Sequence, residues 1–160
     1  MIKKTIAIFL TLIFINACSI KKLEKQESAF IVIKTATMKY ADMGFITSSA
    51  SKVKVEIYAA GQPLMNFEIN GMNVCMSTFK CMDKESFNKK VLSEVYPDDL
   101  LENIFRAKPI FNKKNLEEIS GGFKQKITEE KLYDISYSVV SGERVFRDTI
   151  NKILIKVREQ

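Results

Sequence analysis

What most constrains this chain is a two-residue alternation of apolar and polar side chains that returns in segment after segment. KVKVEIYAA, from Lys52 to Ala60, sets Val53, Val55 and Ile57 against Lys52, Lys54, Glu56 and Tyr58. LMNFEING puts Met65, Phe67 and Ile69 on one face; LYDISYSVV opposes Leu132 to Tyr133, Ile135, Tyr137 and Val139; NKILIKVRE alternates Ile153, Ile155 and Val157. Successive side chains of a strand point to opposite faces, so this pattern predicts strands with one dry and one wet face, as in antiparallel sheets. Turn chemistry punctuates them: Gly61-Gln62-Pro63, the hairpin signal Asn70-Gly71, and Ser141-Gly142. FIVIKTATMKYADMGFI carries strand propensity from Phe30 to Tyr40 and again near Phe45, with Ala41-Asp42-Met43-Gly44 as the expected turn.

One section has a different period. Phe87, Val91, Leu92 and Val95 recur at helical spacing after the start signals Asp83 and Ser86, and Tyr96-Pro97 breaks the pattern. Asp98 and Asp99 suit a first turn, where carboxylates favour the helix dipole, and Leu100, Leu101, Ile104 and Phe105 form a stripe that Pro109 ends. Gly121-Gly122 then leads back into strands. About eight or nine strands, with two helices after the fourth or fifth, predict a mainly β fold of the α+β type. The expected architecture is a curled antiparallel sheet, an incomplete β-barrel, with two short helices packed on its open side.

The N-terminus predicts export. Lys3 and Lys4 precede the apolar run IAIFLTLIFI, and Asn16-Ala17-Cys18 follows, which is a basic region, a short apolar region and a small-residue cleavage site. Ile15-Asn16-Ala17-Cys18 resembles the lipobox of bacterial lipoproteins, which implies that Cys18 is acylated and becomes the new N-terminus. Residues 1–17 are therefore read as a signal peptide, 18–28 as the lipidated cysteine and a flexible polar stalk, SIKKLEKQES, and 29–160 as one domain. Acyl anchoring contributes about 0.8 kcal/mol per buried methylene, and stable anchoring needs more than one chain.

Composition narrows the function. Losing Lys3 and Lys4 from 25 basic residues leaves 23 against 19 acidic ones over 143 residues, a scattered surplus with no aromatic-interleaved basic motif. Nucleic-acid binding is not expected; weak attraction to anionic membrane surfaces or acidic partners is. There is no histidine, no Gly-rich phosphate loop and no metal-ligand spacing, so neither an enzyme nor a cofactor or metal site is expected. Cys75 and Cys81, in NVCMSTFKCM, are expected to form a disulfide in an oxidising compartment, with free thiols or a metal clip as alternatives.

The order of elements resembles the LolB family of outer-membrane lipoprotein receptors. The likeness lies in VEIYAAGQPLMNFEI, in FKCMDKESFNKKVLSEVYPDDLLENIFRAKPIF and in RVFRDTINKILIKV, and it spans roughly residues 30–157, without an N-terminal helix and some loop. The resemblance implies a monomeric receptor, lipid-anchored on the periplasmic face of the outer membrane, that takes lipoproteins from a periplasmic carrier by their acyl chains. The acyl-chain cavity it implies is lined by Met38, Ile57, Met65, Phe67, Ile69, Ile135, Tyr137, Phe146, Ile153 and Ile155 and lidded by Leu101, Ile104 and Phe105. It also implies a membrane-insertion hairpin, Ala59 to Met65, where Leu64 stands a couple of positions from the expected tip and Gln62 takes its place. The same apolar residues would equally fill a closed core. A structural lipoprotein that binds an outer-membrane β-barrel, for example in lipopolysaccharide export, is the alternative.

Overall fold

A computed structural model describes residues 24–77 and 80–160; Cys18 and the signal segment 1–17 lie outside the described residues. Eleven strands form one curled, unclosed antiparallel sheet: β1 (Lys25–Lys34), β2 (Lys39–Ser48), β3 (Lys52–Ala59), β4 (Gln62–Asn70), β5 (Asn73–Met76), β6 (Lys80–Asp83), β7 (Leu116–Ile119), β8 (Gly122–Glu129), β9 (Tyr133–Val140), β10 (Glu143–Asp148) and β11 (Ile153–Glu159). Their order in the sheet is β6-β5-β4-β3-β2-β1-β11-β10-β9-β8-β7. The chain meanders outward from both of its ends: β1 pairs with β11, and the two edges, β6 and β7, flank the helical section between them. That section holds α1 (Lys84–Val91) and α2 (Leu100–Phe105).

Each alternation seen in the sequence lands on one face. Val53, Val55 and Ile57 of β3, Phe67 and Ile69 of β4, Ile135 and Tyr137 of β9, and Ile153, Ile155 and Val157 of β11 all enter a single core, while their neighbours face outward. Asp83 caps α1 as its start signal predicts, its carboxylate accepting from the amide of Ser86 at 2.7 Å. At Asn70-Gly71 the Asn70 side chain accepts from the amides of Met72 and Asn73, fixing a two-residue hairpin.

Three local expectations are corrected. The first turn falls at residues 35–38, not 41–44, because the Thr35 hydroxyl accepts from the amides of Thr37 and Met38 while the Thr35 amide donates to the Met38 carbonyl at 2.8 Å. Gly44 therefore sits inside β2, where its lack of a side chain lets β3 approach: a Cβ there would lie 2.1 Å from the carbonyl oxygen of Glu56. The β3–β4 hairpin turns at Ala60-Gly61, both at positive φ, which places Gln62 and Pro63 in the strand rather than at the tip. Finally, β1 begins at Lys25, inside the span 18–28 read as stalk, and the sheet gains two short edge strands, β6 and β7, which are too brief to show a period.

Candidate functional site

The concave face of the sheet is the candidate site, and the helical section occupies it. α1 contributes Phe87 and Val91, the connecting loop Tyr96, and α2 Leu100, Leu101, Ile104 and Phe105, all buried in the same cluster as the strand residues. Phe87 meets Phe67 edge-on with ring centroids 6.1 Å apart, and Tyr96 meets Phe146 at 6.0 Å. The expected cavity residues are thus brought together. Ile57, Phe67, Ile69, Leu101, Ile104, Phe105, Ile135, Tyr137, Phe146, Ile153 and Ile155 share one core, with Met38 and Met65 packed partly buried against it.

They do not enclose an open space. A void wide enough for an acyl chain would leave accessible surface on its walls, yet those eleven residues are at most 4% exposed. The expectation of an open cavity is corrected to a filled interior. The physical reason is that the insert is as apolar on its inward face as the sheet it covers, so the two satisfy each other.

Polar bonds add to this apolar packing. Lys84 of α1 reaches Glu102 of α2 at 2.9 Å; Glu102 also receives Arg106 Nε at 2.9 Å, and Arg106 Nη1 donates to the Ser49 carbonyl between β2 and β3 at 2.8 Å. Burial pushes the Glu102 carboxyl up, but the hydrogen bonds from Lys84 and Arg106 outweigh it and hold it below the usual carboxylate range. Asn88 donates to the carbonyls of Tyr96 and Pro97, pinning the loop to α1. Further along, Gln125 of β8 grips both backbone groups of Ile110, at 2.9 and 3.0 Å, and also donates to the Lys114 carbonyl.

Two strand residues reach in from β10. Arg144 donates to the Phe105 carbonyl at the end of α2 and is neutralised by Glu27 of β1 and by Glu159 of β11. Asp148 accepts from the Tyr96 hydroxyl, from Asn151 Nδ2 and from the amides of Asp134, Ile150 and Asn151. Burial raises the Asp148 pKa, but these hydrogen bonds, led by Asn151 and Tyr96, leave it below the ordinary value. Burial and its bond to Asp148 drive the Tyr96 hydroxyl pKa far up, so this group stays a neutral donor. One interior hydroxyl, Tyr137 Oη, is buried with no hydrogen-bond partner among the described residues, and so is Arg106 Nη2.

Apart from Tyr137, none of these polar residues was expected at the site, because charged side chains read as a solvated face. Strand parity was the available signal: Arg144 and Asp148 are two residues either side of Phe146, and Gln125 is two before the buried Ile127. Leu64 lies in β4 just past the hairpin tip and is half exposed. Cys75 and Cys81 face one another across β5 and β6 and are disulfide-bonded, with Cα atoms 3.9 Å apart, so the bridge ties the edge strand β6 to the sheet. No known protein-family model matches the chain, and no curated protein does either.

Proposed function

We propose that this protein is a lipid-anchored envelope receptor for the acyl chains of lipoproteins, of the kind the LolB resemblance implies, in which the helical insert is a plug that cargo displaces. The observation that carries the reading is that the sheet stays unclosed between β6 and β7 and that a helical insert, rather than a strand, fills its concave face. Magnitudes support exchange. An acyl chain of about 15 methylenes gains on the order of 12 kcal/mol on leaving water, at about 0.8 kcal/mol per methylene. The seven buried side chains of the insert, Phe87, Val91, Tyr96, Leu100, Leu101, Ile104 and Phe105, contribute about 1.5–3 kcal/mol each, which is of the same order as the two acyl chains that replace them. The polar bonds that hold the insert each contribute only about 0.5–1.5 kcal/mol net, because water replaces them when the insert leaves. Leu64, exposed beside the β3–β4 turn, is the residue that touches the membrane during delivery.

The experiment is transfer of a diacylated lipoprotein from a soluble carrier to vesicles bearing the acylated protein. Leu64→Glu is expected to leave thermal unfolding unchanged and to impair delivery; delivery at the normal rate by that variant contradicts the role of Leu64, and failure of the parent protein to take up diacylated cargo contradicts the receptor reading itself.

The filled interior favours a second reading, a structural lipoprotein whose domain never opens and whose outer surface binds an outer-membrane β-barrel. It predicts a stable complex with one barrel protein and no uptake of lipid.

A further inference from the structure

We infer that the outer face of strands β2, β1 and β11 is a docking surface for an anionic lipid bilayer, an inference that rests on the proposed acylation of Cys18 but not on cargo uptake. Because Ile31 and Ile33 point into the core, Phe30, Val32 and Lys34 point outward. Pairing registers then lay the outer residues in rows across the sheet. Arg147, Leu154, Lys34 and Lys39 are successive neighbours on β10, β11, β1 and β2. Like charges directly opposite one another destabilise a sheet, and Lys34 and Lys39 are such a pair. Among the described residues no carboxylate forms an ion pair with Arg147, Lys34, Lys39 or Arg158.

The adjoining rows are apolar on β1 and β2 and cationic on β11, where Lys156 stands beside Val32 and Arg158 beside Phe30. Val32 stands beside Ala41, and Phe30 beside Met43; Met43 and Phe45 are 42% and 40% exposed. The Phe45 ring meets Tyr58 edge-on at 5.8 Å, and Tyr58 pairs with Pro63, next to the exposed Leu64. The acidic residues bordering this face are already matched, Glu56 by Lys54 at 2.8 Å and Glu143 by Lys156 at 2.7 Å. Two clefts of about 400 and 320 Å³ share Lys34, one reaching Leu154 and Lys152 and the other Val32 and Ala41.

Unneutralised cations interleaved with exposed apolar and aromatic side chains are what an anionic interface rewards, by charge attraction and shallow apolar insertion together. A tether at Cys18 keeps the domain at the membrane: between Cys18 and Lys25 the chain reaches at most about 25 Å, so the Lys25 end of β1 stays near the bilayer that Cys18 enters, and the cationic row at its Lys34 end decides which face turns toward it. Docked this way, the protein also lays Leu64 on the bilayer.

The test uses the mature chain with Cys18→Ser, so that no acyl group is present, in co-sedimentation with vesicles of phosphatidylglycerol and phosphatidylethanolamine and with vesicles of phosphatidylcholine alone. The parent is expected to bind the anionic vesicles at low salt and to release them at high salt. The Lys34→Ala/Lys39→Ala variant is expected to bind about thirtyfold more weakly, at about 1 kcal/mol per cation. Lys90→Ala, on the helical insert, is expected to bind like the parent, and matched urea unfolding curves verify that all are folded. No binding to anionic vesicles, equal binding to both vesicle types, or equal binding by the double variant overturns the inference. The vesicles hold no lipoprotein, so cargo uptake and membrane docking fail separately.

Discussion

Arg144 Nη1 lies 2.7 Å from the carbonyl oxygen of Phe105, joining strand β10 to the last turn of α2 across 39 residues of sequence. The bond satisfies a carbonyl that the end of the helix leaves without an intrahelical partner, and it places the guanidinium where Glu27 and Glu159 neutralise it. The insert is thereby fastened at its C-terminal end to both halves of the sheet, through β10 and through the β1–β11 pair.

Removing this fastening tests its weight. Arg144→Ala leaves Glu27, itself mostly buried, with only the exposed Lys25 at 3.4 Å as its cation, and breaking a buried pair from one side costs about 3–5 kcal/mol. Urea unfolding is expected to show a loss toward the lower end of that range, since Glu159 is well exposed and recovers solvation. A loss below about 0.5 kcal/mol, the size of an ordinary surface substitution, contradicts the fastening.

The hydroxyl of Tyr137 gives the opposite sign. It is buried without a partner, and an unsatisfied buried polar group costs about 1–3 kcal/mol. Burial also pushes its pKa well above the ordinary tyrosine value, the nearby Arg144 charge opposing this only in part. Tyr137→Phe keeps the ring contacts with Phe123 and Phe146 and is expected to leave stability unchanged or to raise it by about 1 kcal/mol in thermal or urea unfolding. A clear destabilisation contradicts the reading of this hydroxyl as buried without a partner.

Two acids of the site contribute to the response to pH. Asp148 and Glu102 both titrate below their ordinary values in the folded protein. Carboxyls with depressed folded pKa values contribute stability that is complete above the unfolded values, about 4, and that is lost as pH falls through the folded ones. Stability is therefore expected to be flat from neutrality down to about pH 5 and to fall below about pH 4. Asp148→Asn lowers stability at neutral pH, because Tyr96 and three amides face a weaker acceptor, and it flattens the acid limb. An unchanged acid limb in Asp148→Asn contradicts the assignment.

The fold was readable because one physical rule governs it. Period-two alternation at Val53-Val55-Ile57 or Ile153-Ile155-Val157 fixes which face is dry, and the switch to helical spacing at Phe87–Val91 locates the insert. The first turn was missed because Gly44 signals either a turn or a close approach of two strands, and only the packing of Glu56 against it decides. β6 and β7, four residues each, are too short to carry a period and depend on their neighbours for pairing. The interior was legible as a set of residues and illegible as a volume. Whether Phe67 and Phe146 leave space between them depends on where Phe87 and Tyr96 come to rest, which is a property of tertiary packing. Arg144, Gln125 and Asp148 were hidden by the ordinary rule that charged and amide side chains stay in water.

The measurement closest to the central claim is hydrogen–deuterium exchange on the protein, with and without a diacylated lipopeptide, read peptide by peptide. If acyl chains take the place of the helical insert, exchange rises across residues 84–106 on lipopeptide addition while strands β3, β4, β9 and β11 stay protected, and the rise requires the acyl chains. If the insert is fixed core, exchange across residues 84–106 is the same with and without the lipopeptide, and the receptor reading is contradicted.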